Sequence, residues 1–369
     1  MAIATILLTT AVVRVVVAYC QPHPNYFWHN DTTSYWGNAE SLLRHGVLKY
    51  WNWGPPGLSI VLLPFVAAGV SPFDVVVIWQ SLLGTLTVLL AMILTERLSC
   101  MYSALVAGAI LAVYPPLLNL SRQLITETWF IFALFLAIWL LMSDRRLLSL
   151  VAGLVAGLSC LMRAPCLGIA LAITCVLLYF RNLRSRLVPF LGGVACMLVV
   201  GAFLVSRSAG HLALFPQSDE TVGIRPVVGG YEEIGPAEIA ARRNYLHFMT
   251  HSPVQYLKER GISILVLLSP WPFGEDRTVI KKLVIASSDS FVYLLALWAV
   301  VHLRRRQLRP ELFLVATPVI GSIAFYGLLF SQPRYRWPFM PFLVCLFAIV
   351  WGEWRKSRLS TATFARRSP

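Results

Sequence analysis

The sequence has few charged residues for its length. Only 13% of its 369 residues are Asp, Glu, Lys or Arg, whereas 57% are hydrophobic. Soluble domains contain roughly 25% charged and about 45–50% apolar residues, so this composition excludes an ordinary soluble domain. Apolar runs of roughly 20 residues recur along the chain, and a helix of that length crosses the hydrocarbon core of a bilayer. Because a helix satisfies its backbone groups within one segment in lipid, we expect an all-α, polytopic membrane protein.

Acidic residues are scarcer than basic ones. The chain has 31 Lys and Arg against 17 Asp and Glu, which gives a formal net charge of +14. Such an excess can indicate nucleic-acid binding, but the basic residues gather in short loops between apolar runs and in the C-terminal tail. That distribution is the positive-inside pattern of membrane proteins. We therefore expect membrane lipids as partners and no nucleic acid.

Signatures of several other protein classes are missing from the sequence. The seven cysteines are scattered without a CxxC pair, so neither a zinc site nor a disulfide framework is indicated. No cluster of His, Asp and Cys has metal-ligand spacing, so we expect no metal and no other cofactor. Residues 2–20 lack a preceding basic segment and contain Arg14, which predicts a retained membrane span rather than a cleaved signal peptide.

Ten apolar runs are expected to cross the membrane. They cover residues 2–20, 74–95, 101–118, 123–142, 147–162, 165–180, 187–206, 283–303, 311–330 and 336–352. Two shorter apolar stretches, 57–70 and 261–273, have the length of interfacial or re-entrant segments. If 57–70 does not cross, the arginine-rich loops and the tail all fall on one face, which should be the cytoplasmic face.

This topology divides the chain into three regions. Residues 1–206 form a transmembrane core with a first outer loop, 21–73; residues 207–282 form a polar outer loop; and residues 283–369 hold the last spans and a basic cytoplasmic tail. The candidate charges collect at the outer boundary, and only Arg14 is expected deep within a span.

The first outer loop is expected to contain an amphipathic helix on the membrane surface. Apolar residues recur at helical spacing between residues 32 and 45, and Gly46 follows as a stop signal. Asp31 stands at the start of this helix, with Tyr35 about one turn later. Asp31 can serve as an N-cap residue, as a general base or as both, because a helix N-terminus favours the ionised carboxylate that a base needs.

Glu127 is a second carboxylate expected on the outer face. It follows Arg122 in sequence and lies about one turn into the expected span 123–142. An acid within a span is costly and is by default a functional candidate; the alternative is a structural ion pair with Arg122. The expected topology puts Asp31 and Glu127 on the same face, where they can meet.

Three arginines are expected at the outer ends of spans, against the positive-inside bias. They are Arg163, Arg334 and Arg336. Guanidinium groups bind phosphate oxygens in a bidentate manner, and a lipid phosphate would lie at this depth. The alternative is that the side chains extend to lipid headgroups without a specific ligand.

These residues occur in an order that resembles the GT-C class of polytopic glycosyltransferases, of the lipid A aminoarabinose transferase and protein O-mannosyltransferase type. The resemblance spans nearly the whole chain and rests on five pieces: Asp31-x-x-x-Tyr35, Pro55-Pro56-Gly57, Ser121-Arg122 with Thr126-Glu127, Gly153-x-x-x-Gly157-Leu158 leading to Arg163, and Arg334-Tyr335-Arg336-x-Pro338.

The resemblance implies inverting transfer of a sugar from a polyprenyl-phosphate donor to a lipid, glycan or protein acceptor on the non-cytoplasmic face. It implies that Asp31 is the general base, that Tyr35 shapes the same pocket and that Glu127 positions the acceptor or neighbouring groups. The implied substrate-binding set also contains Arg122, Arg163, Arg334, Tyr335 and Arg336, with Arg163, Arg334 and Arg336 holding the donor phosphate.

Two other functions stay open at this point. A transporter or flippase of lipid-linked glycans would be expected to carry ionisable residues near the middle of the bilayer. A non-catalytic partner subunit would not need so many polar and aromatic residues in its outer loop. The compact size and the basic tail fit a bacterial inner membrane, with the site on the periplasmic side.

Overall fold

The computed structural model describes residues 1–20, 31–50, 55–210, 224–227, 230–233, 250–272, 278–303, 309–328 and 333–365. Helices dominate these residues, which confirms the all-α, polytopic membrane fold. One antiparallel ribbon joins β1 (Ile224–Val227) to β2 (Gly230–Glu233) within the expected outer loop 207–282, much of which lies outside the described residues.

The helices follow one another in a single series. In chain order they are α1 (Ala2–Tyr19), α2 (Asp31–His45), α3 (Gly57–Ala67), α4 (Pro72–Leu98, with a π-helical turn at Val75–Gln80), α5 (Met101–Val113), α6 (Pro115–Ser121), α7 (Thr126–Leu141), α8 (Arg146–Met162), α9 (Cys166–Tyr179), α10 (Leu187–Ala209, after a 3₁₀ turn at Arg181–Arg186), α11 (Pro253–Leu268), α12 (Val279–Leu303), α13 (Pro310–Leu328) and α14 (Met340–Ala365), with a further 3₁₀ turn at Pro333–Arg336.

The helices differ in how well their lengths suit a membrane span. Among the described residues, α1, α4, α10 with its preceding turn, and α12 are each long and apolar enough to cross a bilayer. Helices α5 and α6 together could form one broken span, bent by 58°. Helices α3, α7, α8, α9 and the part of α13 over Pro310–Tyr326 are apolar but shorter. The exact set of ten spans therefore stays a prediction.

The bend between α5 and α6 has a local cause. Pro115 lacks the N–H group that a continuous helix would use, and its ring pushes the preceding residue out of the helical region. Tyr114 accordingly has an extended backbone, with φ −64° and ψ 112°. The sequence predicted one span over 101–118; the structure instead turns the chain at Tyr114 and directs α6 towards Arg122.

Glycines bring the backbones of α8 and α10 into contact. A Cβ atom on Gly153 would lie 2.0 Å from the Phe190 carbonyl oxygen, and one on Gly193 would lie 2.4 Å from the Leu150 carbonyl oxygen. Membrane helices approach this closely only where small residues face each other. Gly153 and Gly157, which form part of the resemblance found in the sequence, thus have a packing role. By fixing α8 against α10 they also fix the position of Arg163, the residue that follows α8.

Helix α2 has the amphipathic character expected from the sequence. It begins at Asp31, and Gly46 ends it with a left-handed φ of +68°, as is common for glycine after a helix. The buried face contains Tyr35, Trp36 and Ala39, which form one apolar cluster with Leu58 and Leu62 of α3, among others. Helix α2 therefore packs on protein along the face that the sequence predicted to be apolar.

Candidate active site

A buried ion pair joins α7 to the end of α8. Arg163 Nη1 lies 2.5 Å from Glu127 Oε1, and both side chains are more than nine-tenths buried. Glu127 stands in the first turn of α7, where the helix dipole favours a carboxylate. The sequence offered Arg122 as a structural partner for Glu127; the structure places the more distant Arg163 there.

Aromatic rings surround the guanidinium of Arg163. Its Nη2 donates a hydrogen bond of 3.4 Å to the Tyr326 hydroxyl. The group lies 5.2 Å from the centre of the Tyr335 ring and 6.0 Å from that of Phe130. Tyr326 and Tyr335 stack on each other, with centroids 4.8 Å apart. The carboxylate neutralises the cation, and the ring faces attract it.

The start of α3 supports the backbone just before Arg163. A Cβ atom on Gly57 would lie 2.5 Å from the carbonyl carbon of Leu161 and 2.6 Å from the amide nitrogen of Met162. Only glycine fits at this contact, because the neighbouring atoms belong to the backbone and cannot rotate away. This contact gives a physical reason for the glycine in Pro55-Pro56-Gly57.

A second buried ion pair lies on the other side of the Pro333–Arg336 turn. Arg336 Nε lies 2.7 Å from Asp289 Oδ2, both side chains are fully buried, and Nη2 donates to the Pro270 carbonyl at 2.8 Å. The Tyr114 hydroxyl also donates to Asp289. Tyr335 therefore faces the Glu127–Arg163 pair while the next residue, Arg336, is engaged in a separate network.

Sequence reasoning missed Asp289 and Tyr326. Asp289 lies near the middle of α12, so the expectation that only Arg14 is deep within a span was wrong. The signal was present, because an acid inside the expected span 283–303 is itself a functional or structural marker. Tyr326 gave no such signal, since a tyrosine near the end of an apolar span is ordinary.

Asp31 lies at the start of α2 with an exposed side chain. The next residue, Thr32, donates a hydrogen bond of 3.1 Å from its hydroxyl to the Leu124 carbonyl. The beginning of α2 is thereby fixed to the connection between α6 and α7, which carries Arg122 and leads into Glu127. Tyr35 is buried on the inner face of the same helix.

The remaining predicted site residues have simple positions. Arg122 directly follows α6 and is half-buried. Arg334 belongs to the Pro333–Arg336 turn, and its side chain lies outside the described residues. Within the part of the chain that the structure describes, no three His, Cys, Asp or Glu side chains converge in a way that could hold a metal ion.

Comparison with known proteins places this fold. No protein-family model and no curated protein sequence matches the chain. The apo crystal structure of an Archaeoglobus fulgidus oligosaccharyltransferase aligns with 98% of this chain and 51% of its own, at 16% identity and a TM-score of 0.58. The chain shares the fold of the aligned half of this oligosaccharyltransferase. The GT-C resemblance is thereby confirmed at the level of the fold.

Two further structures of the archaeal oligosaccharyltransferase give the same result. One, in complex with an inhibitory peptide and a dolichol-phosphate, aligns over 100% of this chain and 52% of its own, at 16% identity and a TM-score of 0.57. Another, tethered to an acceptor peptide containing the NVT sequon, aligns over 94% and 49%, also at 16% identity and 0.57. This chain spans about half the length of the structures that it matches.

Proposed function

We propose that this chain is an inverting glycosyltransferase that moves a sugar from a polyprenyl-phosphate donor to a lipid, glycan or protein acceptor. The fold supports this proposal, because it is shared with an oligosaccharyltransferase whose structures contain dolichol-phosphate and an acceptor peptide. The observation that carries the proposal is the convergence of α2, α7 and α8. The Thr32–Leu124 hydrogen bond puts the Asp31 end of α2 beside the segment that leads to the Glu127–Arg163 pair.

Asp31 is the proposed general base. Its carboxylate is exposed and lies in the first turn of a helix. It accepts the proton of the acceptor hydroxyl while that oxygen attacks the anomeric carbon of the donor. Such proton transfer contributes about a hundredfold to ten-thousandfold to rate.

Arg163 is the proposed ligand of the leaving phosphate. As the bond between the anomeric carbon and the phosphate oxygen breaks, negative charge grows on the polyprenyl phosphate, and a fixed guanidinium stabilises it. A guanidinium has five N–H donors, so Arg163 can keep its contact with Glu127 and still bind phosphate. Arg122 and Arg334 are proposed to complete the phosphate site. A single displacement of this kind inverts the anomeric centre.

Arg336 has a different proposed role from the one expected from the sequence. Its Nε and Nη2 already contact Asp289 and Pro270 in a fully buried position. We assign it to anchoring the Pro333–Arg336 turn, which holds Tyr335 over Arg163, rather than to direct contact with phosphate.

The chain is a multi-pass membrane protein, and we place the site on the periplasmic face of a bacterial inner membrane.

One observation favours a transporter or flippase instead. Arg14 and Asp289 are both fully or almost fully buried within long apolar helices, and ionisable residues at such positions mark substrate pathways in many transporters.

The test uses purified protein reconstituted in liposomes with a panel of radiolabelled polyprenyl-phosphate sugars and a membrane extract as acceptor. The proposal predicts that one donor is consumed and that its label appears in an acceptor product. Movement of donors between leaflets without consumption of any of them would show that the protein is a flippase and would overturn the transferase.

A further inference from the structure

A buried glutamine lies next to the site and has no role in the mechanism so far. Gln80 is the last residue of the π-helical turn Val75–Gln80 in α4, and its side chain is completely buried. A π-helical turn inserts one extra residue into a helix and is frequent at functional positions. Here it precedes the helical segment Ser81–Leu98 and places the side-chain amide of Gln80 within hydrogen-bond distance of the α6–α7 connection.

The amide of Gln80 uses all of its donors on one short segment. Its Nε2 donates to the Ser121 carbonyl at 3.2 Å and to the Gln123 carbonyl at 2.7 Å. Its Oε1 accepts a hydrogen bond of 3.1 Å from the Trp129 indole. The acceptor and both N–H donors are therefore matched, which fixes the amide in a single orientation.

These three bonds hold both ends of the segment that carries the proposed site. Ser121 is the last residue of α6, Gln123 lies in the connection, and Trp129 stands two positions after Glu127 in α7. The Gln123 carbonyl also accepts from the Ile125 amide at 2.9 Å, which closes a tight turn. Gln80 thus fastens the segment from α4, as Thr32 fastens it from α2.

We propose that Gln80 is a positioning residue for sugar transfer. It fixes the connection that carries Arg122, and through Trp129 it fixes the first turn of α7, so that Glu127 holds Arg163 where the leaving phosphate needs it. This inference rests on the proposed transferase function. Misplacing a catalytic group by about 1 Å can cost about a hundredfold in rate. Loss of the Gln80 hydrogen bonds should therefore lower the rate of sugar transfer, although Gln80 itself does not touch the substrates.

The test compares Gln80→Met with a matched control. Methionine has nearly the length of glutamine but neither donates to the two carbonyls nor accepts strongly from Trp129. Thr87→Val is the control, because Thr87 is buried in the same helix and donates only to the Leu83 carbonyl one turn earlier. Trp129→Phe removes one of the three bonds and serves as a milder variant if Gln80→Met does not fold.

Two readouts separate positioning from bulk stability. Hydrogen exchange of the amides between residues 118 and 129 should become faster by about tenfold or more in Gln80→Met, because their anchor is lost. The kcat for transfer should fall about tenfold to a hundredfold, with the KM for the donor changed by less than about threefold, since the polyprenyl chain supplies much of the donor's binding. Trp129→Phe should shift both in the same direction by less, and Thr87→Val should match wild type.

Each other result identifies which idea fails. Faster exchange with a wild-type kcat would overturn the positioning role and leave the proposed transferase intact. Unchanged exchange would show that Gln80 does not hold the connection and would overturn the inference directly. If wild-type protein transferred no sugar from any donor, the proposed function would fail and the positioning role with it, even if Gln80→Met still accelerated exchange.

Discussion

The Glu127–Arg163 ion pair makes a quantitative prediction. Both side chains are more than nine-tenths buried, and their charged atoms are 2.5 Å apart. At an effective dielectric constant of about 20, unit charges about 4 Å apart attract by about 4 kcal/mol. Removing one partner of such a pair leaves the other charge buried and uncompensated, which typically costs about 3–5 kcal/mol. We expect Glu127→Leu and Arg163→Met each to destabilise the protein by about this amount.

The double variant distinguishes the pair from two independent sites. Glu127→Leu combined with Arg163→Met replaces two opposite charges by apolar side chains of similar size, which is often nearly neutral. The losses of the two single variants sum to about 6–10 kcal/mol, so a nearly neutral double variant should be destabilised by at least about 5 kcal/mol less than that sum. Unfolding of the purified protein in mixed detergent micelles, followed by circular dichroism, measures all four proteins.

A control and a refuting result complete this test. Lys356 pairs with Glu353 where their side chains are 50% and 34% exposed, so Lys356→Ala should change stability much less than Glu127→Leu. If the effects of Glu127→Leu and Arg163→Met were additive within about 0.5 kcal/mol, the two residues would not interact, and the site described for α7 and α8 would be incorrect.

Two further predictions concern contacts that flank the site. Gly57→Ala should destabilise the protein by about 1–3 kcal/mol because its Cβ would press on the backbone before Arg163. Gly261→Ala is the control and should be neutral or stabilising, because the space around its Cβ is open. Equal thermal stability of the two variants would contradict this prediction. Asp289→Asn should destabilise the protein by about 3–5 kcal/mol because Arg336 loses its counter-charge. Tyr114→Phe removes only the hydrogen bond to Asp289 and should cost about 1.5–3 kcal/mol. The same unfolding assay ranks the two variants, and the reverse order would refute the network around Asp289.

Local features of the fold could be predicted from the sequence. The start of α2 at Asp31, its end at Gly46 and its buried face all follow from helical spacing and a glycine stop, which depend on neighbouring residues alone. Glu127 was likewise predicted near the beginning of a helix. Hydropathy did not locate the start of α11. This helix begins at Pro253, well before the predicted apolar stretch 261–273. Its first turns contain Gln255, Lys258, Glu259 and Arg260, and such polar residues do not register as part of an apolar run.

The pairing of distant residues could not be predicted. Glu127 lies close to Arg122 in sequence, yet its ion pair is with Arg163, which reaches it because glycines let α8 pack tightly against α10 and Gly57 of α3 lies on the end of α8. Composition gives no register between helices, so it cannot specify such contacts. The hydrogen bonds of Gln80 could not be predicted either, because Ser121 and Gln123 come close to Gln80 through the bend of the chain at Tyr114.

The measurement that tests the central claim most directly is the rate of sugar transfer by Asp31→Asn beside a matched control. Asparagine preserves the shape and the capping ability of aspartate but cannot accept a proton as a base. Asp74→Asn is the control, because Asp74 is also an exposed carboxylate in the first turn of a helix, at the start of α4. We predict that Asp31→Asn loses at least about a hundredfold in kcat while Asp74→Asn transfers sugar at the wild-type rate. Equal rates for both variants would contradict the assignment of Asp31 as the general base and, with it, the site proposed for this fold.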